Sequence, residues 1–116
     1  MRPDQYLYLK LREQIAAMVL GGRCSDGDPL PSVRSFASQT GSNPLTVAKA
    51  YQTFLESGVV TTRRGVGMFV AAGGRAKLRL MEKTRFLEDE WPLIQQKMRR
   101  LQLDERELLE QALKLE

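Results

Sequence analysis

Asn43-Pro44-Leu45-Thr46-Val47-Ala48-Lys49-Ala50-Tyr51-Gln52-Thr53-Phe54-Leu55-Glu56-Ser57-Gly58 is the stretch from which the rest of the chain can be read. Asn43 can accept from the free backbone N–H groups of a helix start, Pro44 suits the first helical position because its missing N–H costs nothing there, and Gly58 permits a left-handed stop. Between those ends Val47, Ala50, Tyr51 and Phe54 recur at helical spacing as a buried stripe, which leaves Asn43, Leu45, Thr46, Ala48, Lys49 and Gln52 pointing outward. The outer face is small, polar and nearly free of acid. A backbone can approach through such a face and no carboxylate repels phosphate, so it suits a DNA major groove. An ordinary solvated helix has the same composition, and the flanking segments decide between the two.

Upstream, Leu7, Leu11, Ile15, Met18 and Val19 repeat in steps of three and four from Asp4 to Leu20, predicting a first helix that Gly21-Gly22 stops. Arg23 to Pro29 is dense in turn formers, and Leu30 before Pro31 is pushed toward extended geometry, so at most a short strand fits there. Ser32 can cap a second helix in which Val33, Phe36, Ala37 and Thr40 share a face, with Gly41 at its stop. Only Ser42 separates Gly41 from Asn43. Two short helices joined so tightly, the second capped and groove-compatible, have the layout of a helix-turn-helix.

Downstream, Val59 to Thr62 and Met68 to Val70 are β-rich runs around Arg63-Arg64-Gly65-Val66-Gly67, which predicts a hairpin. The Gly-x-Gly is no nucleotide site, since no helix and no Lys-Ser/Thr pair follows it. A hairpin placed straight after a helix-turn-helix is a wing, and its tip arginines, Arg63 and Arg64, can reach the sugar-phosphate backbone or the minor groove.

Leu30-Pro31-Ser32-Val33-Arg34, Asn43-Pro44-x-Thr46-Val47-Ala48-Lys49-Ala50-Tyr51, Glu56-x-Gly58 and Arg63-Arg64-Gly65-x-Gly67-x-Phe69-Val70 together resemble the winged helix-turn-helix of GntR-family bacterial transcription regulators. The resemblance runs without a gap from Leu30 to Val70 and more loosely through the first helix. It implies that Arg34, Asn43, Thr46 and Arg64 with Gly65 approach DNA, with Lys49 as a further candidate. Many members carry arginine where this chain has Pro44 and Ala48, so the guanine contacts of those positions are not available. The Asn-Pro-x-Thr-Val-Ala-Lys-Ala-Tyr form resembles the short-tailed YtrA subfamily.

After a joint at Ala71-Ala72-Gly73-Gly74, expected to be flexible, Leu80, Thr84, Leu87, Trp91, Ile94, Met98 and Leu101 recur in alternating steps of four and three, a heptad seam. Pro92 inside it should kink the helix or divide it after Trp91. Asp104 then caps a last helix, with Glu107 able to reach back and Leu103 placed to staple onto Leu108. Leu108, Leu109, Ala112 and Leu113 form its apolar face. Two helices of this size enclose no core of their own, so pairing with a second copy is the economical way to bury both stripes. Folding back onto the winged helix is the alternative. The expected organisation is therefore a mainly α, α+β chain, with a winged helix-turn-helix over residues 1–72 and a two-helix dimerisation hairpin over 75–116. Its seam comprises Leu80, Leu87, Trp91, Ile94, Met98, Leu101, Leu108 and Leu109.

Composition agrees. The 116 residues are 42% hydrophobic and 28% charged, enough for one small core and an appendage. The net charge of +4 leans toward an anionic partner, and residues 1–74, with 8 Lys/Arg against 5 Asp/Glu, hold most of the excess. Histidine is absent and Cys24 is the only cysteine. That removes the usual zinc sets, His-based triads and intrachain disulfides, and leaves Cys24 a bystander thiol. Carboxylates at 88–90 and 104–107 alternate with cations as solvated faces and caps rather than acid–base pairs. No run is long enough for a membrane span and the start lacks a signal peptide, so a cytoplasmic protein is expected, with no cofactor and no metal. The expected partners are double-stranded DNA and a second copy, with no membrane and an effector unspecified. The reading is a homodimeric regulator binding two related half-sites, and the resemblance supplies the word repressor. An architectural DNA-binding protein and a protein-interaction module are the alternatives, and no enzyme is expected.

Overall fold

The computed structural model describes residues 3–115, with side chains from residue 5. Met1, Arg2 and Glu116, which the expected boundaries 1–72 and 75–116 include, lie outside the described residues. Helices α1 (Pro3–Leu20), α2 (Val33–Thr40) and α3 (Pro44–Glu56) precede strands β1 (Val60–Arg63) and β2 (Gly67–Val70). Helix α4 (Gly74–Arg85), a π-helical turn (Phe86–Glu90), α5 (Trp91–Arg100) and α6 (Glu105–Lys114) follow. The chain forms two compact units, one running to Leu80 and one starting at Met81. No helix among the described residues is long and apolar enough to cross a membrane.

Local chemistry sets the ends of the two central helices. Ser32 Oγ accepts from Ser35 N–H at 3.0 Å and Asn43 Oδ1 from Leu45 N–H at 2.9 Å, with Pro44 opening α3. Gly41 and Gly58 stop them at φ of 65° and 81°. Val47, Ala50, Tyr51 and Phe54 of α3 are buried against Leu11, Ile15 and Val19 of α1, Phe36 and Ala37 of α2, and Val59, Val60 and Val70 of the hairpin, one contiguous core. Tyr51 donates to the Pro31 carbonyl at 2.7 Å, and its ring centroid lies 6.0 Å from that of Phe36.

The strands pair antiparallel from Val60↔Val70 to Arg63↔Gly67. The loop before α2 lies along the other edge of β2. Gly27 N–H donates to Val70 O, Val70 N–H to Asp28 O and Leu30 N–H to Met68 O, with a single bridge Pro29↔Phe69. The short strand allowed by sequence is therefore one bridge long, because the Asp28 N–H turns back to Ser25 O and Gly27 donates to Val70 O in its place.

Three expectations need correction. Leu7 is 55% exposed rather than part of the buried stripe, since it faces an open cleft whose opposite side, Thr40 to Asn43, is small and polar. The joint is not a free linker: α4 begins at Gly74, and a Cβ there would meet Val59 O at 2.2 Å. Asp26 accepts from the Gly73 and Arg75 N–H groups, Arg75 donates to Leu20 O at 3.0 Å, and Leu78 is fully buried. The first unit accordingly runs past residue 72 into α4.

The third correction concerns Pro92. The helix changes character before Trp91 instead of after it, with Trp91 N–H reaching back to Phe86 O in an i→i−5 bond. Pro92 cannot donate to the carbonyl four residues earlier, and it is tolerated in the first turn of a fresh α segment. A π turn inserts the equivalent of one residue, so a strict heptad register does not run unbroken through Phe86–Glu90. In the second unit, Asp104 Oδ1 accepts from Glu107 N–H at 2.8 Å, capping α6 as its sequence prescribes.

Candidate nucleic-acid interface

At about 100° per residue, the side of α3 opposite its buried stripe carries Leu45, Lys49 and Gln52. All three are exposed, as is Ala48 between them, and the first turns of α2 and α3 contain no acid. Thr46 stands at about a right angle to this line. It is half-buried and borders a shallow cleft against α1 with Gln5, Tyr8, Lys49 and Thr53. Thr53 Oγ1 donates to Lys49 O, so the Tyr8 hydroxyl is the donor in its 2.5 Å contact with Thr53 Oγ1. This bond fixes α1 beside the outer helix.

Asn43 is exposed at the head of α3, with its carboxamide oxygen accepting the capping bond from Leu45 N–H. The cap pins the carboxamide to the helix start and leaves the Nδ2 donors and the second lone pair of Oδ1 to meet a phosphate or a base edge. Arg34, the second residue of α2, is also exposed.

The wing tip is a tight turn in which Val66 N–H donates to Arg63 O at 2.9 Å. Gly65 has φ of 76°, and Arg64 is not among the described non-glycine residues with positive φ, as in a type II turn. Arg64 is therefore exposed at the apex beside Gly65 and Val66. Arg63 differs from its neighbour. It ends β1 with its guanidinium carbon 4.1 Å from the Phe69 ring centroid, a cation–π contact that braces the hairpin and keeps the donors of Arg63 near the strand.

Arg34, Asn43, Lys49, Arg64 and Gly65 thus lie exposed on α2, α3 and the wing tip, with Thr46 in the neighbouring cleft and Arg63 laid along the wing. Leu45 and Val66, 76% and 72% exposed, carry no charge or motif that marks them as site residues in the sequence. The helical wheel already put Leu45 on the outer face, but an apolar side chain there gives no electrostatic signal. Cys24 is buried, with its thiol pushed up by burial, by the neighbouring Asp28 carboxylate and against the opposing pull of Arg23, as an inert thiol requires.

The family described as bacterial regulatory proteins, gntR family, matches residues 7–70. The chain belongs to the GntR family. It is 31% identical over 103 residues to the HTH-type transcriptional repressor YtrA of Bacillus subtilis, a match covering 89% of this chain and 73% of YtrA. The HTH-type transcriptional regulator YhcF of the same organism is 42% identical over 65 residues, 56% of this chain and 54% of YhcF, so the chain spans about half of that relative. Among solved structures, a transcriptional regulator from Oenococcus oeni aligns with TM-score 0.68 at 30% identity, covering 99% of this chain and 92% of its own. Membership in the GntR family makes the protein a transcription regulator with a winged-helix DNA-binding domain, not an enzyme.

Proposed function

We propose that the chain is a homodimeric repressor that binds two related operator half-sites from the cytoplasm. Its DNA contacts are Arg34, Asn43, Thr46, Lys49, Arg64 and Gly65, with Arg63 bracing the wing that carries Arg64. The observation that carries the dimer is the second unit. No residue of α6 is buried, and Leu87, Leu101, Leu109 and Leu113 are 51 to 61% exposed. Met98 is buried without a second copy and Trp91 is half-buried, so a partner would cover the leucines and Ile94 around them. Apolar area of that extent, left in water, is the mark of an interface. The similarity to the repressor YtrA, which covers 89% of this chain and so reaches into the tail, supports repression.

Light scattering of the intact chain, together with binding to duplexes carrying one or two half-sites of a sequence selected from random DNA, tests the reading. A dimer that prefers two half-sites by about a hundredfold is expected, because the second head binds intramolecularly. Leu87→Asp with Ile94→Asp should return a monomer and erase that preference, since unpaired charges oppose burial. An intact chain that is monomeric at micromolar concentration overturns it. Equal affinity for all duplexes would favour an architectural protein.

A further inference from the structure

We infer that Leu45 is a specificity-determining residue, reading the C5 methyl group of a thymine in the major groove; this deepens the DNA-binding reading above and rests on it. Leu45 is 76% exposed, more so than Tyr6, Leu7 or Val66, the other exposed large apolar residues among those described ahead of α4. It occupies the second position of α3 and faces away from the buried stripe. Its own N–H is held by Asn43 Oδ1 at 2.9 Å, so the leucine belongs to a fixed first turn and not to a fraying end. Pro44 before it and Ala48 one turn on carry no long side chain, which makes the isobutyl group of Leu45 the outermost part of that turn.

The surroundings select the occupant. Leu45 is set among Asn43, Thr46 and Lys49, with no acid in the first turn, a rim suited to a polyanion rather than to an apolar protein pocket. A duplex presents one apolar group in its major groove, the thymine methyl, and leucine is complementary to it by size and by lack of polarity. Asn43, whose carboxamide is pinned to the helix start by the cap, carries no apolar group that could meet this methyl. Leucine at 45 therefore supplies a base preference that the absence of arginine at positions 44 and 48 leaves open.

Deoxyuridine in place of thymidine removes only this methyl and keeps pairing intact. The intact protein is titrated with a duplex selected from a random library, with each thymine replaced in turn. At one thymine per half-site, the wild type should lose roughly fourfold in affinity, the worth of one buried methyl. Leu45→Ala should bind the thymine duplex that much more weakly and be indifferent to the replacement, while Leu45→Met, which keeps apolar reach, should retain the penalty. Unchanged melting of Leu45→Ala confirms that an exposed side chain was removed without unfolding. Selective binding in which no deoxyuridine matters, or in which Leu45→Ala keeps the full penalty, overturns the role of Leu45 alone. Failure of the wild type to enrich any sequence overturns the DNA reading and Leu45 with it.

Discussion

Asp26 caps a helix that begins at Arg75's doorstep: its Oδ1 accepts from the Arg75 N–H at 3.1 Å and its Oδ2 from the Gly73 N–H at 2.9 Å. Arg75 returns the tie by donating from Nη2 to Leu20 O at 3.0 Å, the end of α1. One loop carboxylate and one arginine thus lock the start of α4 to the winged helix. Asp26→Ala should lower stability by about 1 kcal/mol, the usual cost of a lost cap, in urea unfolding of the intact chain. Asp26→Asn, which keeps one acceptor, should fall between the two. Equal midpoints for all three proteins would show that the tie contributes nothing.

Where the winged helix can be cut follows from Leu78. It is fully buried, four residues beyond Gly74. A fragment ending at Leu80 should unfold cooperatively, whereas one ending at Gly74 loses Leu78 and the Arg75 bond and should be destabilised by roughly 2–5 kcal/mol. Leu78→Ala in the longer fragment should reproduce most of that loss. Denaturant midpoints of the three proteins settle it, and equal stability of both fragments would mean that α4 is dispensable to the fold.

The same two residues mark what sequence can and cannot convey. Ser32, Asn43 and Asp104 act within three residues of themselves, so their caps, and the helices they open, were readable directly. Asp26 and Arg75 are 49 positions apart and their pairing exists only once the chain has folded, which is why Ala71–Gly74 read as a loose joint. Leu7 kept perfect helical spacing yet faces a polar cleft, because periodicity identifies a face without saying what lies opposite it. Pro92 announced a disturbance, but whether a helix answers by kinking or by a π turn depends on which carbonyls find donors. At the interface, the charged positions were legible. The engagement of Asn43 Oδ1 by Leu45 N–H and the stacking of Arg63 on Phe69 were not, and they change what each side chain has left to offer.

Alkaline pH should loosen the core through Tyr51, whose hydroxyl is pushed up to about 12 by burial and then by the nearby Cys24. An unfolded tyrosine ionises near its ordinary 10, so between 10 and 12 the native state holds the extra proton. Stability is therefore fully present below pH 10 and lost as pH rises toward 12. Cys24, also raised, acts in the same direction from about pH 9. Tyr51→Phe should flatten most of the decline, while losing about 1 kcal/mol at neutral pH with the bond to Pro31 O. Urea midpoints at pH 8, 10 and 11 compare the two, and parallel declines would remove Tyr51 as the cause.

The wing separates two neighbouring arginines. Arg64 is exposed at the turn apex, while the Arg63 guanidinium rests over Phe69, so only the first is free to meet phosphate without giving up a packed contact. Each phosphate neutralised releases condensed counterions and adds about 0.9 to the slope of log affinity against log salt. Arg64→Ala should accordingly weaken binding to every duplex alike and lower the slope by about one per head. Arg63→Ala should change the slope less but lower the melting temperature, because it exposes the Phe69 ring. Binding titrations across a salt series, paired with thermal melts, read both quantities. If Arg63→Ala lowers the slope as much as Arg64→Ala while leaving the melting temperature untouched, the guanidinium leaves Phe69 to bind DNA, and the division of labour on the wing is wrong.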